Sequence, residues 1–167
     1  MFKDHAEDFL RSLGELFQEH TTECVIEEDE KGPILIMNAQ SPFNEDDDII
    51  YSVQVEDGNN GFVLIEFVIV FFTDVSPELF EDVKKAICYI DPTLTMGNYL
   101  LAEEGGMILF RQSCILDENI SSETATCYSI RNMFLMERNL FSSGQQLNEL
   151  INGKITPEEI KVATTSE

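Results

Sequence analysis

From Phe62 to Phe72 the chain reads Phe, Val, Leu, Ile, Glu, Phe, Val, Ile, Val, Phe, Phe, apolar except for Glu66. As a helix this run would reach only about 16 Å, roughly half the hydrocarbon core of a bilayer. Its β-branched and aromatic content favours a strand. Because apolar residues occupy both alternating positions, that strand is expected to be covered on both faces. A chain built around such a strand must supply partner strands and covering helices, and the flanking sequence offers both.

Before it, Phe2, Ala6, Phe9, Leu10, Leu13, Leu16 and Phe17 recur at three- and four-residue intervals, one apolar stripe on a helix ending near His20. Cys24–Glu28 and Pro33–Asn38 read as strands joined by the Asp29-Glu30-Lys31-Gly32 turn. Ile49, Tyr51, Val53 and Val55 alternate with Ile50, Ser52, Gln54 and Glu56, the period of a half-buried strand. After the long apolar run, Ser76 as cap and Pro77 at the first position open a helix that buries Leu79, Phe80, Val83, Ile87 and Ile90. Asn98–Glu103 and Met107–Leu116 form a second hairpin around Gly105 and Gly106. A long helix runs from about Ser121 towards Ile151, Gly153 stops it, and Thr156 with Glu159 spells a capping box for a short last helix. The order α-ββββ-α-ββ-α predicts one α+β domain over residues 1–163, its helices on one face of a mainly antiparallel sheet, with 164–167 as a flexible tail.

The long helix carries two apolar stripes. Ala125, Tyr128, Leu135, Met136, Leu140, Leu147 and Leu150 gather on one side, the expected core. Cys127, Ile130, Phe134 and Phe141 gather on the other. Either the first helix covers this second stripe within the molecule, or the stripe is a dimer or partner face.

Charge bounds the partners. The chain holds 32 acidic against 10 basic residues, a net charge of -22, and Gly32 to Val83 contains no lysine or arginine. Phosphate backbones and anionic lipid surfaces are repelled, so direct binding to nucleic acid or membrane is not expected. A basic segment of another protein is the complementary partner. Cys24, Cys88, Cys114 and Cys127 are far apart without a Cys-x-x-Cys pair, and the first residues lack the basic cap and apolar run of a secretory signal. Reducing cytoplasm is the expected compartment.

No reactive constellation stands out. Asn44 to Asp48 is rich in carboxylates, yet Ile49 stands where an EF-hand loop needs glycine and Val55 where it needs its last glutamate. His5 and His20 have no metal-ligand spacing, and a Cys24–His20 pair has no local orienting group. Glu103 and Glu104 border a turn, Gly105 and Gly106 make no phosphate loop, and Arg111 is expected in an internal salt bridge. No catalytic residue, metal or cofactor is assigned. An enzyme would need a site assembled only by folding.

The passage from Pro92 to Leu116, with Asn98, Tyr99, Leu100, Leu101, Gly105, Gly106, Met107, Ile108, Leu109, Phe110 and Arg111, followed by the long helix to Ile151-Asn152-Gly153 and the Thr156-Pro157-Glu158-Glu159 cap, resembles the YbjN family. That family is labelled as bacterial sensory-transduction regulators. The resemblance implies a fold similar to type III secretion chaperones, small acidic cytoplasmic proteins that dimerise and hold an unfolded segment. It carries over no catalytic residue, and four strands precede the middle helix here where such a chaperone has three. The leading expectation is a non-enzymatic protein-binding module, chaperone-like or a regulatory adaptor. A nucleic-acid mimic that blocks a DNA-binding protein is the second.

Overall fold

The computed structural model describes residues 5–18, 21, 23–43, 48–58 and 60–165. Its elements are α1 (Ala6–Phe17), β1 (Glu23–Asp29), β2 (Gly32–Gln40), β3 (Asp48–Asp57), β4 (Phe62–Phe72), α2 (Phe80–Ile90), β5 (Asn98–Ala102), β6 (Met107–Asp117), α3 (Ser122–Asn139), α4 (Gln145–Ile151) and α5 (Pro157–Thr165). The strands form one antiparallel sheet in the order β1-β2-β3-β4-β6-β5. The single α+β domain with helices on one sheet face is as the sequence predicts. Phe2, His20 and 44–47 of the acidic run lie outside the described residues, as do 166 and 167 of the expected tail; α5 itself continues to Thr165.

The core lies between the sheet and its helices. Leu35, Val53, Phe67 and Phe110 represent β2, β3, β4 and β6 on the buried face, against Phe9, Leu10 and Leu13 of α1, Val83 and Ile90 of α2, and Met133 and Met136 of α3. The covering of β4 departs from expectation. Val63, Ile65, Phe67, Ile69 and Phe71 are buried, but the alternating Leu64, Glu66, Val68 and Val70 are only half-buried. Among the described residues no helix lies on that second face, so the strand's apolar surplus is not consumed by its own fold.

Three local expectations shift. Leu16 is exposed rather than in the α1 stripe. Ser76 makes no side-chain cap bond, and the chain enters α2 through a turn of 3-10 helix at Pro77–Leu79. The expected single long helix is α3 and α4 joined by a π turn at Leu140–Gly144. Its cause is competition for one carbonyl. Asn139 O accepts from the hydroxyls of Ser142 (3.0 Å), Ser143 (2.7 Å) and Tyr99 (3.3 Å), which draws it out of the regular i→i+4 ladder.

The helix stops follow the expected chemistry. Gly153, at φ +67, lets Lys154 N–H donate to Glu149 O (2.8 Å) and its own N–H to Leu150 O (2.9 Å), closing α4. Thr156 N–H donates to the Glu159 carboxylate at 2.8 Å, and Glu159 N–H reaches Thr156 Oγ1 at 3.4 Å. The Thr156 N–H and the Thr156 hydroxyl, which donates to the same carboxylate at 3.0 Å, hold the Glu159 carboxyl below the usual carboxylate range. The box therefore contributes fully above the ordinary glutamate pKa and fades as pH falls through the lowered folded value. Thr156→Ala should cost about 1 kcal/mol near neutrality, and the difference in urea midpoint from the parent should shrink in acid.

Candidate protein-binding site

The two strands of the second hairpin are unequal. β5 has 5 residues and β6 has 11. Their pairing begins at Ala102 with Met107 and ends at Asn98 with Arg111. From Gln112 to Asp117, β6 pairs only with β4, on its other side. Among the described residues this overhang has no strand neighbour on the β5 side, which leaves about 20 Å of open edge.

Gly97 shows why β5 starts where it does. Its φ of +73 turns the chain off β6, and a methyl group placed there would lie 2.5 Å from Phe110 Cζ and 2.9 Å from Arg111 O. The same contact orients the edge. Arg111 O faces β5, whereas Glu118 N–H donates to Gly61 O on the β4 side at 3.0 Å. Antiparallel strands alternate, so the backbone groups of Ser113 and Ile115 point into the open side and those of Gln112, Cys114 and Leu116 towards β4.

Beside this edge lies a groove of about 530 Å³, lined by Met96–Asn98 and Leu100 on one side, Arg111–Cys114 along β6, and Asn132 of α3. Asn132 is turned inward because Gln112 Nε2 donates to its Oδ1 at 2.6 Å in buried surroundings. That bond rolls α3. Ala125, Ser129, Asn132, Met133 and Met136 face the core, and Tyr128, expected in the core stripe, is exposed. Gln112 Oε1 is buried with no hydrogen-bond partner among the described residues, a state that costs roughly 1–3 kcal/mol.

Two ionisable side chains line the groove, Arg111 and Cys114. Arg111 donates through Nε to Glu66 Oε1 at 2.8 Å and again through Nη2, the internal salt bridge expected of it. Burial pushes the Cys114 thiol up to about 11, far from a reactive thiolate at neutral pH. Elsewhere, burial raises the Asp91 carboxyl, which accepts Tyr99 N–H at 2.9 Å. Among the described residues no cluster of His, Cys, Asp and Glu could hold a metal ion, and no helix is long and apolar enough to cross a membrane. Glu103 ion-pairs with Lys84 at 2.7 Å, and His5 is exposed beside Asp8.

The candidate helix face splits. Cys127 is exposed, with Phe134 at 62% and Phe141 at 59%, whereas Ile130 is half-buried and packs on the core. The alternative in which α1 covers this stripe does not hold for Phe134 and Phe141, although α1 does contact α3. Phe134→Asp should therefore fold with a stability within about 0.5 kcal/mol of the parent in urea unfolding.

No sequence motif marks Gln112, Ser113, Ile115 or Asn132. No protein-family model matches the chain, and no curated protein matches it either.

Proposed function

We propose that this chain is a non-enzymatic protein-binding module that takes an extended segment of another protein as an added strand along β6. The observation that carries this is the Gln112–Leu116 overhang, whose outward backbone groups at Ser113 and Ile115 lie beside the groove of about 530 Å³. Strand addition supplies backbone hydrogen bonds for affinity, and pockets at alternate side chains supply selectivity.

The two ends of the sheet are treated differently. The outer strand at the other end, β1, carries Glu23, Glu27, Glu28 and Asp29, and charges on an edge discourage pairing with foreign strands. Over Gln112–Asp117 the one charge is Asp117 at the far end; Gln112, Ser113, Cys114, Ile115 and Leu116 carry none, and Ile115 is 70% exposed. The guarded edge and the unguarded one imply that pairing is wanted at β6.

The net charge favours a partner segment with lysine or arginine over a second copy, which would bring another -22. Acids on the uncovered sheet face are spread apart: Glu23 and Glu27 are on the outer strand β1, Asp48 and Glu56 are at the two ends of β3, and Glu66, on interior strand β4, is paired with Arg111. That arrangement supports a binding module over a nucleic-acid mimic, which needs a continuous carboxylate stripe. The four free cysteines fit a reducing cytoplasm. The resemblance over 92–159 to YbjN proteins points to the same class of role.

The test is an alternating valine–lysine peptide of about nine residues, titrated into the protein and into Ile115→Pro. Proline is tolerated at an outward position of an edge strand but cannot donate to an added one. Binding should weaken roughly tenfold or more in the variant, with the fold intact. Equal binding by both proteins, or none by the parent at about 1 mM, would overturn the proposal.

A further inference from the structure

The sheet face turned away from the helices is a second surface, separate from the β6 edge. Register places Ile50, Val70, Leu109 and Leu100 in one row across β3, β4, β6 and β5. Ile36 and Val68 flank that row in the next, on either side of Ser52. Ile50 and Leu100 are 39% and 37% exposed, and the other members are half-buried. None of these side chains belongs to the cluster packed under the helices.

The shape of the band selects its occupant. Four strands at 4.7–4.9 Å spacing make the row about 14 Å long, and successive rows lie about 7 Å apart. The following row, Gln54, Glu66 and Ser113, is polar and bounds the band on one side. A narrow strip of this length matches the apolar stripe of about three turns of one helix. A second sheet would have to bury the polar row as well.

Charge selects the flanks of that helix. The six strands hold nine acidic side chains and one basic residue, Arg111. Arg111 is bound to Glu66, and Lys31, in the β1–β2 turn, is bound to Glu56 at 2.9 Å. The carboxylates of Glu23, Glu27 and Asp48 stand at the margins, where cations from a partner would meet them. A second copy of the chain would present acid to acid.

We infer that this row is the docking surface for an amphipathic helix of another protein, with leucine-type residues along its stripe and lysine or arginine on its flanks. The helix lies across the strands, so it leaves the β6 edge free.

The probe is an amphipathic leucine–lysine peptide of about 18 residues, compared with a scrambled peptide of the same composition. Anisotropy in about 0.3 M sodium chloride suppresses binding by charge alone. The parent should bind the amphipathic peptide with a gain in helicity. The scrambled peptide, and the parent peptide on the Ile50→Ser/Leu100→Ser protein, should bind roughly tenfold or more weakly. Both substitutions are at exposed positions, and an unchanged melting temperature confirms the fold. Ile115→Pro should bind the helix as the parent does, so the edge and the face fail separately. Equal affinity for the scrambled peptide, equal affinity in the serine protein, or no binding by the parent would overturn the inference. So would a parent dimer that the serine substitutions dissociate, since the occupant would then be a second copy.

Discussion

Phe67→Ala should lower stability by about 3–5 kcal/mol, among the largest effects of any single truncation in this domain. Phe67 is 1% exposed on β4, an interior strand of the sheet, and lies opposite Val53 of β3 on one side and Gln112 of β6 on the other. Its ring fills space that the close-packed layer of helices cannot collapse into without losing its own contacts. A domain of this size has a total stability of about 5–15 kcal/mol, so the loss removes a large share of it. In urea the midpoint should fall steeply with little change in slope. A loss under about 1 kcal/mol, such as a surface site gives, would mean that the core is not built around this strand.

Gly97→Ala should cost about 3 kcal/mol, from two sources that act together. The backbone at φ +73 is strained for any residue with a Cβ, and the added methyl group meets Phe110 Cζ at 2.5 Å and Arg111 O at 2.9 Å. Phe110 cannot give way. It is fully buried, with its ring edge-on to Tyr99 at 4.9 Å between centroids. Relief requires β5 to move away from β6, which would reshape the groove between them. The variant should therefore lose stability and, in the valine–lysine titration, affinity as well. Full stability in urea would show that the start of β5 is not fixed by this contact.

Much of this architecture is legible in the sequence because the relevant signals are local. Periods of two and of about 3.6 residues, the Gly105-Gly106 turn, Gly153 and the Thr156–Glu159 box each act within a few residues. What is not legible depends on contacts far apart in the chain. The π turn arises because Tyr99 and two serines share the Asn139 carbonyl, and the roll of α3 arises because Gln112 captures Asn132, 20 residues away. A helical wheel at a fixed angle per residue sees neither, which is why Tyr128 is misplaced and Ser129 is found buried.

The reading of β4 as covered on both faces is corrected for a different reason. Its apolar alternate residues do sit on a sheet face, but the described helices all lie on the other one. Continuous hydrophobicity reports what a strand can bury, not which molecule buries it. The edge was closer to hand. A hairpin with a tight turn, one strand read as Asn98–Glu103 and the other as Met107–Leu116, must overhang from Ser113 onward, so unequal strand lengths are the signal that locates the site.

Residue-resolved amide hydrogen exchange, with and without the valine–lysine peptide, tests the strand-addition account most directly. In the free protein Ser113 and Ile115 should exchange fast while Gln112, Cys114 and Leu116 are protected by β4, and peptide should slow Ser113 and Ile115 selectively. Uniform protection along Gln112–Leu116 without peptide, or peptide that leaves Ser113 and Ile115 fast, would contradict it.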